Sequence, residues 1–348
     1  MKILENLRSA IQHLLFGEKP PLSSTEVPKG GRNLVLDLMK GLLISGMVLS
    51  HVNNGLSLNI PWLAPRMGIL QLSIFSGLFF TFGYGTYKAY LEKITIPRRR
   101  IVLNILKILV AYILSALAYG FFQEHALSLK YLLSIVRLDF LDTYTKFLLT
   151  YMIILILLLI TPRLFITVTR KEAIFWPVMG GLLMTTFIDY TQIKTVFLSI
   201  LIGSETIASF PVIQYLPLYL LGIYFAQRQI QFSWKFLAGA ILAIGAYLIA
   251  RENGLDRRFP PSFFWIIGSM GAVYGCYLIS QLLIQMSFLA KPLMDIGRHA
   301  LYWLVMSNLL IYSMSPVLKY MTLPSYWVAG IELGCFFCIA FLSILARK

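Results

Sequence analysis

Apolar blocks of about 20 residues alternate with short polar connections along most of the chain. At 1.5 Å per residue, such a block makes a helix about 30 Å long, the thickness of a bilayer's hydrocarbon core. The blocks predict helices at 34–53, 67–88, 101–122, 145–161, 172–190, 210–227, 234–250, 262–287, 298–316 and 325–345. The stretch 193–208 is shorter and more polar, with Lys194, Ser204, Glu205 and Thr206, and reads as a re-entrant or interfacial piece. Ahead of the first block, Ile3, Leu4, Leu7, Ile11, Leu14 and Leu15 share one helical face, with Lys2, Glu5, Arg8 and Gln12 elsewhere. That pattern suits a helix lying on the membrane surface. A Pro/Ser/Gly linker from Pro20 to Gly31 follows it, and no cleavable signal peptide is visible. The expected fold is all-α: a polytopic transmembrane helical bundle of about ten spans over 32–348, preceded by the amphipathic helix and linker of 1–31.

Composition agrees with this pattern. Hydrophobic residues make up 58% of the 348 positions, charged residues 13%, and the mean hydropathy is +0.76. Soluble domains average roughly 45–50% apolar and about 25% charged, so a soluble fold would have to expose large apolar patches.

Charge then gives the bundle a direction. The formal net charge is +15, from 30 Lys and Arg against 15 Asp and Glu. With the N-terminus inside, nineteen Lys and Arg fall on cytoplasmic segments and nine on outer ones, which favours cytoplasmic N- and C-termini. The basic excess is thereby explained without nucleic acid, for which no zinc-finger or stacking motif is present. One outer connection runs against the bias. Residues 251–261, RENGLDRRFPP, carry three arginines on the wrong side, which marks either an error in the topology or a site for something anionic. No connection is long enough for a soluble catalytic domain, which takes roughly 50 residues or more, so any chemistry belongs to the bundle itself.

The first block carries the most informative polar residues. Asp37, Lys40 and His51 lie within it; ionisable residues inside a span face the bundle interior and are candidates for function, the plainer readings being a structural Asp37–Lys40 ion pair and a hydrogen-bonding His51 at the membrane interface. Asp37 and Lys40 are three apart and Lys40 and His51 eleven apart, which puts all three on one stripe of a helix. Lys40 and His51 are then separated by roughly 16 Å along the axis. An imidazole near neutral pH can take a proton from an alcohol, the task required in moving an acyl group from a thioester to a hydroxyl. Arg98, Arg99 and Arg100, with Lys107 further along the next helix, offer cations for a donor's phosphates. Metal ligation finds no support, because the four histidines are scattered and Cys335-x-x-Cys338 stands without a second pair.

The run RNLVLDLMKG…LSH over 32–51 resembles the opening signature of the acyltransferase-3 family, in which a basic residue, ten positions and a histidine occupy the first span. Lys40-x10-His51 is similar to that motif, with Lys in place of the commoner Arg. Phe75-Ser76-Gly77-Leu78-Phe79-Phe80 with Gly83, Arg257-Arg258-Phe259-Pro260-Pro261-Ser262, and Ile296-Gly297-Arg298-His299-Ala300-Leu301-Tyr302 resemble later family segments. The basic loop departs from the usual R-x-x-R spacing, and Ser307-Asn308 stand where many relatives carry a histidine.

The resemblance implies a membrane O-acyltransferase. It would use cytoplasmic acyl-CoA, most simply acetyl-CoA, as co-substrate, with no tightly bound cofactor and no metal, in a bacterial inner membrane. His51 would be catalytic together with Asp37. Arg32, Lys40, Arg98, Arg99, Arg100 and Lys107 would hold the donor, while Asn53, Arg257 and Arg258 would hold a glycan or lipid-linked acceptor. The alternative is a non-enzymatic exporter of polysaccharide or lipid-linked sugar.

Overall fold

The computed structural model describes residues 33–55, 64–123, 128–137, 146–205, 207 and 210–318, and single positions between 327 and 338. The amphipathic helix and linker of 1–31, Arg32 and most of the expected span 325–345 lie outside the described residues.

The described chain is all-α, with thirteen α-helices and no strand. In chain order they are α1 Leu34–Gly55, α2 Ala64–Thr86, α3 Arg98–Phe122, α4 Leu129–Val136, α5 Lys146–Ile160, α6 Pro162–Arg170 and α7 Glu172–Met184. There follow α8 Val196–Leu201, α9 Val212–Arg228, α10 Trp234–Glu252, α11 Phe263–Leu283, α12 Ser287–Arg298 and α13 Ala300–Leu318. Among the described residues four helices are long and apolar enough to cross a membrane: α1, α3, α10 and α11. A fifth is added if α5 and α6, bent by 91° at Thr161, form one broken span. Several sequence blocks are real helices shorter than a bilayer requires, such as α7 with 13 residues and α9 with 17.

Three helices were not foreseen as separate elements, and each has a local cause. Pro162 cannot continue the α5 hydrogen-bond ladder but suits a first helical turn, so the chain restarts at right angles as α6. That helix buries Phe165, Val168 and Thr169 and exposes Arg163 and Arg170, an amphipathic arrangement. Ser128 caps α4 by accepting from the Tyr131 amide at 3.2 Å. Residues 287–298 form α12 ahead of the predicted block at 298–316 and pack along α1.

Glycines set how closely the central helices approach. A Cβ on Gly83 would stand 1.9 Å from the Tyr219 carbonyl oxygen, and one on Gly222 would stand 2.0 Å from that of Phe80. Backbone contact between α2 and α9 therefore needs hydrogen at both positions. Gly41 against Leu293 and Gly297 against Asp37 make a second such contact, between α1 and α12, each at 1.9 Å.

Contacts among the connections sort them to two ends of the bundle. At one end Arg228 pairs with Glu172 at 3.0 Å and donates to the Arg170 carbonyl at 3.1 Å. At the other, Arg257 pairs with Glu205 at 2.8 Å and lies over the Tyr190 ring at 5.8 Å. The segment from Tyr190 to Glu205 thus begins and ends beside the same residue. Both ends of the segment therefore lie at one end of the bundle.

Candidate functional site

The polar residues of α1 lie in two groups near its ends. His51 and Ser50 are buried, 3% and 1% exposed, near the C-terminal end. Two elements bring other polar groups to them. From α2, Gln71 Nε2 donates to Ser50 Oγ at 3.0 Å, and the Phe75 ring centre lies 6.1 Å from that of His51. From the connection before α11, Arg258 donates through an Nη to Gln71 Oε1 at 2.8 Å.

The local sequence explains how Arg258 gets there. Pro260 and Pro261 offer no amide donors, so the turn closes instead through the Ser262 amide to the Arg257 carbonyl, at 2.8 Å. Ser262 then caps α11 by accepting from the Trp265 amide at 3.2 Å. Between these fixed points Arg258 is directed into the bundle while Arg257 faces outward to Glu205.

Arg258 is surrounded by aromatic rings. Its guanidinium carbon is 4.6 Å from the Phe75 and Phe259 ring centres, 5.8 Å from Trp265 and 5.9 Å from Phe210. Burial lowers its pKa from the ordinary value, and the Tyr215 phenol opposes that shift. An arginine stays charged through such a shift. Phe75 lies beside both Arg258 and His51, with its ring centre 4.6 Å from the guanidinium carbon and 6.1 Å from the imidazole centre.

At the other end of α1, Asp37 is buried at 4% exposure, and its carboxylate lies 3.6 Å from Arg298 Nε. Sequence spacing pointed to Lys40 as its neighbour and gave no hint of Arg298, 261 positions away. Lys40 Nζ stands 3.8 Å from where a Cβ on Gly85 would be, so it reaches toward the C-terminal end of α2. There α2 passes into a π-turn, Tyr87–Leu91. Such turns recur at functional sites.

This turn and the start of α3 enclose an open cavity of about 420 Å³, lined by Lys88, Tyr90, Lys93, Arg100, Asn104 and Lys107 among others. Asn104 donates to the Tyr90 hydroxyl across it, and Lys88 is engaged by Glu92 at 2.6 Å. The cavity therefore gathers two of the expected donor-binding cations, Arg100 and Lys107. It adds Lys88 and Lys93, which were not among the expected site residues. Arg98 and Arg99 are exposed and do not line it.

No family model, curated protein or solved structure matches this chain. The functional reading therefore rests on residues and geometry.

The remaining expected site residues divide plainly. Arg257 is not in the group around His51, because its guanidinium is held by Glu205. Asn53 belongs to α1, with its side chain outside the described residues, as is all of Arg32. Gln71 and Ser50 were missed entirely, since an uncharged polar residue in an apolar block carries no signal until its partner is known. Asn308 is buried and donates to Ser115 Oγ at 3.2 Å, tying α13 to α3.

Proposed function

We propose that the protein is a multi-span membrane O-acyltransferase that moves an acyl group, most simply acetyl, from acyl-CoA to a hydroxyl of a glycan or lipid-linked sugar. The observation that carries this reading is the arrangement along α1. A buried imidazole packed near Phe75, which also faces Arg258, occupies one end, and Lys40, with its Nζ beside Gly85 at the end of α2 just ahead of the turn that lines the cationic cavity, occupies the other. The likeness of Lys40-x10-His51 to the acyltransferase-3 signature supports the same reaction.

In this reading the donor's phosphates lie against Lys93, Arg100 and Lys107. Arg100 sits in the first turn of α3, where its charge adds to the positive end of the helix dipole, and a phosphate there would be favoured by both. The donor's extended arm then carries the thioester roughly 16 Å along α1, from Lys40 to His51. His51 accepts the proton of the acceptor hydroxyl, and that oxygen attacks the thioester carbon. The C–S bond breaks, and the departing thiolate takes up a proton to leave as free CoA. Asp37, clamped by Arg298, and Lys40 position α1 and the donor. The ten-span count, cytoplasmic termini and bacterial inner-membrane location belong to this proposal. Placing the cationic cavity at the cytoplasmic face gives it access to the donor.

The test is to incubate membranes containing the protein with radiolabelled acetyl-CoA and follow label into glycan and lipid. His51→Ala should abolish transfer while protein level and membrane insertion stay normal. Undiminished transfer by that variant would sink the mechanism. An exporter would move its cargo without consuming thioester and would tolerate the substitution.

A further inference from the structure

Arg258 presents a charge for which no counter-ion is visible. Among the described residues no carboxylate lies within ion-pair distance of it, whereas its neighbour Arg257 has Glu205 at 2.8 Å. The rings of Phe75, Phe259, Trp265 and Phe210 stabilise the cation through their faces, but such contacts use none of its N–H groups. A guanidinium has five in-plane donors. One is given to Gln71, and Nε is shut off from solvent with no hydrogen-bond partner among the described residues. A sealed, unpaired donor on a cation is costly to leave unmade. The residue as a whole keeps a part of its surface exposed.

We infer that Arg258 is the anion-binding element of an acceptor site beside His51, and that the acceptor carries a phosphate or carboxylate which this guanidinium takes. The inference rests on the acyl-acceptor reading for the word acceptor, and on the Arg258 geometry alone for the anion. It narrows the substrate class from any hydroxyl-bearing glycan to an anionic one. It also assigns recognition to one arginine of the pair: Arg258 reads the ligand, and Arg257 fastens the 190–205 segment over that end of the bundle. Phe75 is in contact with both groups, so an anion held by Arg258 would bring its sugar hydroxyls up to the imidazole.

The test measures binding, not turnover. Full-length protein in nanodiscs is titrated with glucose 1-phosphate, glucuronate and glucose, and affinity is read by calorimetry. The wild type should bind at least one of the two anionic sugars ten-fold or more tighter than glucose. The better of the two identifies the group. Arg258→Gln should erase the difference, and Arg258→Lys, which keeps the charge but loses the planar donors, should retain only part of it. Arg257→Gln and His51→Ala should both keep the preference, so loss of acyl transfer in His51→Ala is read separately from anion binding. Equal affinity for all three sugars in the wild type would overturn the inference. So would a preference that survives intact in Arg258→Gln. If Arg258→Gln does not fold, an undiminished preference in Arg258→Lys overturns it equally.

Discussion

At the scale of single residues, the Asp37–Arg298 contact shows what α1 requires. Asp37 is buried in the first helix, and Arg298 ends α12, so this ion pair fastens two elements far apart in sequence. The contact is long at 3.6 Å and the arginine side chain is 36% exposed, so solvent screens part of it. Removing the arginine still leaves a carboxylate in an apolar setting. Arg298→Gln is expected to cost about 1–2 kcal/mol, less than a fully buried pair would. The apparent melting temperature in detergent should fall, and Asp37→Asn on the same background should recover part of the loss. If the double variant is as unstable as the sum of the two singles, the residues are not coupled. The pair also marks what could be read from sequence alone. Asp37, Lys40 and His51 were visible because an ionisable residue stands out in an apolar block. Arg298 sat in a segment that looked like a span's edge, and Gln71 had no charge to draw notice.

At the scale of elements, the apolar blocks located helices well but did not reveal which cross the bilayer. Periodicity reports that a segment is helical and apolar; it does not distinguish a 13-residue helix backed by other helices from a span exposed to lipid. It also passed over α4, α6 and α12, which lie between blocks and mix charge with apolar residues. Helix contacts were partly legible in the glycines, but only the structure pairs them. Gly83 and Gly222 oppose one another's helix backbones at 1.9 and 2.0 Å, so Gly83→Ala or Gly222→Ala must push α2 and α9 apart. Overpacking of that kind is expected to cost about 1–3 kcal/mol. Gly239, on an exposed face of α10 with nothing within 4 Å, provides the control. Gly239→Ala should be neutral or stabilise by up to about 1 kcal/mol, because alanine favours a helix interior. Melting curves of the three variants should separate in that order. Equal behaviour would mean that α2 and α9 do not meet through their backbones.

At the scale of the whole molecule, the arrangement amounts to a bundle with two chemically different ends. One end carries the cationic cavity, Arg170, Glu172 and Arg228, and the other carries His51, Arg258 and the 190–205 segment. α7 and α9 both connect these ends, so Lys171 and Asp189 should lie on opposite sides of the membrane if the short helices complete the crossing. Single cysteines test this in a background where Cys276, Cys335 and Cys338 are replaced by serine. Asp189→Cys, Glu205→Cys and Leu255→Cys should react with a membrane-impermeant maleimide from the same side. All three positions are exposed and belong to connections gathered at one end. Lys171→Cys should react only from the other side or after permeabilisation. Labelling of Asp189→Cys and Glu205→Cys from opposite sides would make 190–205 a true span. That result would detach Arg257 from Glu205 and reverse the orientation of every later helix. Labelling of Lys171→Cys and Glu205→Cys from one side would mean that α7 does not cross, and the cavity at Arg100 would no longer face a different compartment from His51. Under the proposed acyl transfer the same-side group should be external and Lys171 internal, because that orientation puts Lys93, Arg100 and Lys107 in the compartment where acyl-CoA is made.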